Sequence, residues 1–496
     1  MRKFLLPLLL TVILLGAATP PPYMMHIILN GVRETEQKIA SFHTDSIQAV
    51  THTRGDADSL GIRAHYLKVA LKSEKDTLVP IDSIQRCFYG VDIPRIYLTT
   101  DSLVDEIPSK DYYLKGTFCM QGNDEYGSVD TATLQIKGRG NSTWTLPKKP
   151  YRLKFDKKIS LFGLPKSKSY NLLANQLDYS LMRNSVAFKI GQEMHTLFCP
   201  HAVPADVYLN NVYRGSYILT EKIGINSGSV DIDENTGMLF EMDIALDEDY
   251  TFTSPLFKLP VMVKDPDLKE IAGGDTIVTA DSLFSIWRKD FLNMEKIVRQ
   301  GNGKLIDKEI DLRSLADYLI PYLVTGNREA NHPKSTYLFK SDINDQYHFG
   351  PIWDFDWSFE YYHNEPDGGV SLEYFIPGMP GADFFINILK TKEFHTVFSE
   401  RWRIFKEQVY PQLEEYIDSY ADRIEASALR NGELWYARPD HWGLLGSSAS
   451  FRINVEILKD WLKRRMEFIE NHPYYGFTTL TPEIDDGIIV TGTELK

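Results

Sequence analysis

The chain has little cysteine, no excess of basic charge and, past its first residues, no long apolar run, and each shortage excludes something. Three cysteines in 496 residues, Cys87, Cys119 and Cys199, leave at least one thiol unpaired and do not make a disulfide framework. Their spacing does not suit a metal site, and buried structural cysteine is the default reading. Lys and Arg number 54 against 68 Asp and Glu, a net charge of -14. With no broad basic block to neutralise phosphates, a nucleic-acid partner is excluded. After the N-terminus no segment is apolar and long enough to span a bilayer. Low hydrophobicity is not among the shortages: 43% of residues are hydrophobic and 25% charged, as in ordinary globular proteins of two or three domains.

What is present begins with an export signal. Arg2 and Lys3 precede an apolar stretch from Phe4 to Leu15, then Gly16, Ala17 and Ala18 ahead of a proline run. Residues 1–18 read as a cleaved signal peptide, with the protein expected in the periplasm, at the cell surface or outside the cell. Membrane contact is expected only if that segment is retained. Residues 25–90 carry no motif and read as a small accessory region in which HYLKVAL and TLVPI are strands. Residues 481–496 read as a flexible tail.

From Ile93 the pattern is β: IPRIYLTT, KGTFCM and ATLQIKG are short runs separated by turn residues. The third run enters GRGNSTW, and KKPYRLKF follows, alternating Tyr151, Leu153 and Phe155 against Arg152 and Lys154. Gly138 and Gly140 let the backbone approach a ligand, and successive amides in such a turn form an anion-binding concavity. Asn141, Ser142 and Thr143 add donors, and Arg139, Lys148, Lys149 and Lys154 add charge. This fits phosphate binding, or equally a hairpin with a convenient bend; it is not the Walker pattern.

Apolar residues every fourth position, Met182 to Met194, predict a helix over 178–195 with Asp178 as N-cap and with Arg183, Asn184 and Glu193 off the buried stripe. Strands AVPADVYLN and GSYILTEKI follow, joined by a hairpin turn containing Gly215. An amphipathic helix ending at Gly301 and another capped by Asp311 lead into a polar loop, TGNREANHPKS. A hairpin then returns the chain to FGPIWDFDWSF, read as a buried strand whose Asp354 and Asp356 point to one side and whose aromatics point to the other. Converging carboxylates suit a hard divalent cation, although the tripeptide alone more often marks a strand end whose acids face solvent or pair with Arg or Lys. The rest is helical, and Trp435, Tyr436 and Trp442 offer stacking faces for sugars or, more simply, core packing.

A β-rich part with a Gly-rich loop and one helix, then a helical part entered through a polar loop and an acidic pair, is the layout of an atypical protein-kinase-like two-lobe fold of α+β class. The HRD and DFG strings of ordinary kinases are absent. The blocks IKGRGNSTW, KKPYRLKF, LLANQLDYSLMRNSVAFKIG, YLNNVYRGSYILTEKI and FGPIWDFDWSF resemble the CotH kinase family, in an exported, Bacteroides-type form. The resemblance implies a domain over 91–480, with lobes dividing near 230, that binds ATP with magnesium, or manganese, and phosphorylates protein Ser or Thr. It implies a nucleotide loop at Gly138, Arg139, Gly140, Asn141 and Ser142, a phosphate-contacting Lys154 with Lys149 second, and metal ligands Asp354 and Asp356. The family's catalytic Asp falls where this chain has Glu329, and its second-metal Asn falls near Lys334 and Ser335. The alternative is a catalytically impaired relative serving as a nucleotide-binding or envelope-interaction scaffold.

Overall fold

In the computed structural model the described residues are 93–471, apart from 123–124, 274–277, 363–364, 366 and 436–450, together with the backbone of five N-terminal strands. The expected signal peptide, Cys87, Tyr436, Trp442 and the tail from 481 lie outside them. The chain divides into two units, Met1–Asp92 and Ile93–Lys496. In the first, β1 (Met24–Leu29) pairs with β2 (Lys38–His43), and β3 (Ile47–Ala57), β4 (Arg63–Leu71) and β5 (Thr77–Pro80) form a second antiparallel sheet. The two strands expected in this region lie in β4 and β5.

The second unit begins with β6 (Arg95–Thr100), β7 (Leu114–Gln121), β8 (Val129–Gly138), β9 (Tyr151–Ile159), β10 (Ser167–Leu173), β11 (Val203–Leu209) and β12 (Val212–Glu221). They close into a barrel in the order β10-β12-β11-β6-β7-β8-β9, antiparallel except where β11 meets β6. Closure leaves no free sheet edge. Alternation fixes the faces: Leu134, Ile136, Leu153 and Phe155 face the apolar filling, with Leu134 opposite Phe155 and Ile136 opposite Leu153. Lys137 and Arg152, also register partners, therefore stand on the outer face. The one-turn α1 (Ser142–Thr145) sits in the loop between β8 and β9.

Between β10 and β11 lies α2 (Arg183–Glu193). It is shorter than the periodicity predicts, because Asp178 is held in a preceding turn and caps from there: its Oδ2 accepts from Arg183 N at 2.8 Å and its Oδ1 from Ser180 N at 2.9 Å. The hairpin after β11 turns at Asn210 and Asn211, both with positive φ, a conformation Asn tolerates. Gly215, expected in that turn, is instead inside β12, opposite Val207 at a bulge.

The remainder joins a five-stranded antiparallel sheet to helices. β13 (Met238–Met242), β14 (Thr251–Thr253), β15 (Pro260–Asp265), β16 (Thr336–Lys340) and β17 (His348–Phe349) pair in the order β14-β15-β13-β16-β17. The helices are α3 (Leu268–Ala272), α4 (Ala280–Gln300), α5 (Gly303–Glu309), α6 (Leu312–Thr325), α7 (Pro380–Leu389), α8 (Lys392–Ile404), α9 (Tyr410–Trp435) and α10 (Phe451–Asn471). As the sequence predicts, Gly301 closes α4 in the left-handed region and Asp311 caps α6 through Arg313 N and Ser314 N. No described helix is long and apolar enough to cross a membrane. The fold is α+β with a seven-stranded closed barrel.

The long α9 lies along the barrel and fastens it. Asp206 on β11 accepts from Ser427 at 2.7 Å and from Arg430 at 2.5 Å. Asn431 Oδ1 accepts from Lys148 Nζ at 2.6 Å and Ser216 N at 3.1 Å. A Cβ at Gly215 would crowd Asn431 and Trp435, so the glycine is what admits the helix.

Candidate functional site

A cavity of about 560 Å³ opens on the outer face of the barrel and reaches the acidic pair. Its basic wall is the strand-loop-strand read from the sequence, with Gly138, Arg139, Gly140, Asn141, Ser142 and Thr143 all on its lining. Gly140 has φ +86°, and Gly138 is covered by the Trp144 ring, against which any Cβ would collide. The lysines divide differently from the expectation. Lys154 is exposed and off the lining, beyond Arg152 on the same face; Lys149 donates to Trp144 O at 2.8 Å and stacks on its ring; Lys148 is fully buried under α9.

The cations that do face the cavity include Lys137, Arg139, Arg152 and Lys222. Each has its pKa lowered, first by burial; like charge adds to it for three of them, Arg152 acting on Lys137, Arg139 on Arg152, and Arg152 with Lys264 on Lys222, whereas Asp354 and Asp356 oppose the shift of Arg139. Lys222 is lowered to about 8. Arg152 has only a neutral partner on its Nε, Asn171 Oδ1 at 2.9 Å, and Arg139 Nε is buried with no hydrogen-bond partner among the described residues. Lys264 differs, because Glu241 and Glu248 each hold it at 2.8 Å and raise its pKa. Arg152, Lys222 and Lys264 were missed because the barrel and the second sheet bring them together from separate strands. Only the alternation of β9, which places Arg152 outward, was a local signal.

The acidic wall is not the predicted strand. β17 stops at Phe349, and Asp354 has φ +62°, so alternation does not operate there. The segment is shaped by tertiary contacts: Asn327 Nδ2 donates to Asp354 O at 2.7 Å, Phe355 N donates to Asn184 Oδ1 at 3.0 Å, and Phe188 stacks on Trp353. Phe355 is buried, while Trp353 and Trp357 line the cavity beside both acids. The polar loop and the acidic pair do face one another, as expected.

Arg183 and Asn184, read as off the buried face of their helix, are buried and hold the second acid. Asn184 Nδ2 donates to Asp356 Oδ1 at 2.6 Å, and Arg183 donates to Asp356 O at 2.9 Å and to Glu360 at 2.8 Å. The acidic segment folds over the start of α2, a non-local contact that periodicity does not reveal. Burial and the adjacent Asp354 push Asp356 up to about 6. That is the signature of a carboxylate short of positive charge. The chemistry of that carboxylate suits a divalent cation, which Asp354 and Asp356 could hold between them. No group of three or more His, Cys, Asp or Glu that could hold a metal occurs among the described residues, so water and ligand oxygens would complete the shell, the magnesium habit.

Glu329 is only 3% exposed and is absent from the cavity lining. It begins a short 3-10 turn, Glu329–Asn331, with its amide donating to Asn327 Oδ1 at 2.9 Å. Lys334, which does line the cavity, lies 3.0 Å from Glu329 Oε1 and 3.6 Å from Asp354 Oδ2. Burial, and then Asp354, pushes Glu329 well above the carboxylate range, which Lys334 opposes. Ser335 has φ +46° and donates its amide to Asp243 at 3.0 Å.

A model described as CotH kinase protein matches residues 136–469, well over half of the chain. The chain belongs to the CotH kinase family. The match runs from β8 into α10 and so takes in the Gly-rich loop, α2, the polar loop and the acidic pair, which are the walls of the cavity. IPRIYLTT, in β6, precedes it. No curated protein matches the chain.

Proposed function

We propose that this CotH-family domain binds ATP with magnesium or manganese in the cavity and transfers a phosphoryl group to a protein Ser or Thr hydroxyl. The single observation that carries the reading is a set of half-buried cations, Lys137, Arg139, Arg152 and Lys222, sharing one cavity with Asp354 and with an Asp356 that burial and its acidic neighbour push upward. Cations so placed are stabilised by a polyanion, and the carboxylates by a cation. A metal–polyphosphate satisfies both.

In this reading the barrel part and the helical part act as the two lobes of a kinase-like arrangement. The basic wall orients the phosphates; Asn184 and Arg183 hold Asp356, and Asn327 holds Asp354, at the metal end. The bound cation supplies charge neutralisation at the transferring phosphoryl. The export reading of residues 1–18 would put the acceptor in the cell envelope or outside the cell.

One observation favours a second reading, a nucleotide-binding scaffold without transfer. Glu329, the residue at the family's catalytic position, is buried behind Lys334 rather than facing the cavity. Incubation of the full chain with ATP labelled on its terminal phosphate, magnesium and envelope protein separates the two. Label on Ser or Thr that disappears in Asp356→Asn supports transfer. Tight ATP binding without label or turnover supports the scaffold.

A further inference from the structure

The loop after α6 carries a charge arrangement that a catalytic base does not need. Lys334 Nζ has three donors. Among the described residues it makes one hydrogen bond, to Glu329 Oε1 at 3.0 Å. Asp354 Oδ2, at 3.6 Å, is near enough to attract the ammonium and too far to accept from it. The face of Trp357 lies 5.5 Å away and Lys334 is on the cavity lining, so the ammonium is held on one side and open on the other.

Glu329 has the opposite character. One oxygen is tied to Lys334 and the other is buried with no hydrogen-bond partner among the described residues. An acceptor hydroxyl in the cavity would meet Lys334 before it met this carboxylate. The backbone reinforces the pair: Lys334 N donates to Glu329 O at 2.9 Å, and Asp243 fixes the next residue, Ser335, through its amide at 3.0 Å. The loop is therefore built to hold an ammonium at a set place beside Asp354.

We infer that Lys334 binds the terminal phosphoryl oxygens of a nucleoside triphosphate and that Glu329 is its positioning residue, not a base. The assignment rests on the nucleotide reading of the cavity. It divides the cations into two groups: Lys137, Arg152 and Lys222 on the barrel wall, and Arg139 with Lys334 toward the acidic end, of which Lys334 is the one that the loop after α6 holds beside Asp354. A ligand one phosphate shorter leaves Lys334 unused.

The test is calorimetric titration of the full chain with magnesium–ATP and magnesium–ADP. Lys334→Met is expected to weaken ATP binding by about tenfold or more, the scale of a lost charge-assisted hydrogen bond, and ADP binding much less. Glu329→Gln is expected to erode the same ATP-over-ADP preference, which loss of a structural contact alone would not do. The double variant Glu329→Gln/Lys334→Met leaves no buried charge unpaired, so it keeps the test readable if either single variant fails to fold. It should be no weaker than Lys334→Met. Wild-type-like ATP preference in Lys334→Met or in the double variant overturns the inference and leaves the nucleotide reading standing. Full ATP preference in Glu329→Gln overturns the positioning role. No binding of either nucleotide by the wild type overturns the inference and the reading together.

Discussion

Lys222 sits where three requirements conflict: burial, the adjacent positive charges of Arg152 and Lys264, and a partial counter-charge from Asp265 and Glu248. Its ammonium, near 10.5 when unperturbed, is lowered to about 8. Between those values the unfolded chain holds a proton that the native chain has released. Stability of the ligand-free protein therefore rises with pH across that window, by up to roughly 3 kcal/mol. Polyphosphate binding needs the charged form and runs the other way. Affinity for magnesium–ATP should fall as pH is raised from about 7 to about 9, and Lys222→Met should bind more weakly at the lower pH and lose this dependence. Titrations across that range check both signs. Asn184 makes a second residue-scale prediction. It holds both the Asp356 carboxylate and the Phe355 amide, so Asn184→Ala should cost about 1–3 kcal/mol of stability. It should also weaken divalent-cation binding by about ten- to a hundredfold, as loss of a group orienting a metal ligand does. Melting curves with and without magnesium and ATP measure the two losses separately.

At the scale of elements, two contacts set how the site is held. α9 reaches the barrel through Asn431, which is the side-chain partner of the fully buried Lys148; the other acceptor of that ammonium is Ser216 O. Burial pushes this lysine well below its ordinary value. Asn431→Leu should cost about 2–4 kcal/mol, and adding Lys148→Met should recover part of it, as seen in chemical denaturation. Gly381 at the start of α7 touches the loop that bears Glu329, and a Cβ there would overlap Ala330 O and crowd Asn331 O. Because both obstructing groups are backbone, Gly381→Ala should destabilise by about 2 kcal/mol or more. The same scale shows what the sequence made legible. Strands such as β8 and β9, and helices such as α4 and α6, follow local rules: alternation, periodicity, a capping Asp, a terminal Gly. The acidic segment does not. It reads as a strand, yet Asn327, Asn184 and the packing of Phe188 on Trp353 bend it, and those partners lie far away in sequence. Lys154 shows the same limit from the other side: alternation gives its face but not that the cavity ends at Arg152.

At the scale of the whole molecule, the cavity must bring a polyanion and a cation together, the first relieving its cationic wall and the second Asp356. The Gly-rich loop and the acidic pair stood out in the sequence as local motifs, whereas most of the cationic wall arises only when the barrel closes and the second sheet approaches it. The most direct measurement is thermal unfolding of the full chain without ligand, with ATP alone, with magnesium alone and with both, in wild type and in Asp354→Asn. Both together should stabilise the wild type by more than the sum of each alone, about 2.7 kcal/mol at a hundredfold excess over Kd, and Asp354→Asn should lose that synergy. Equal stability in all four conditions, with manganese and other nucleotides as silent as magnesium and ATP, would contradict the account.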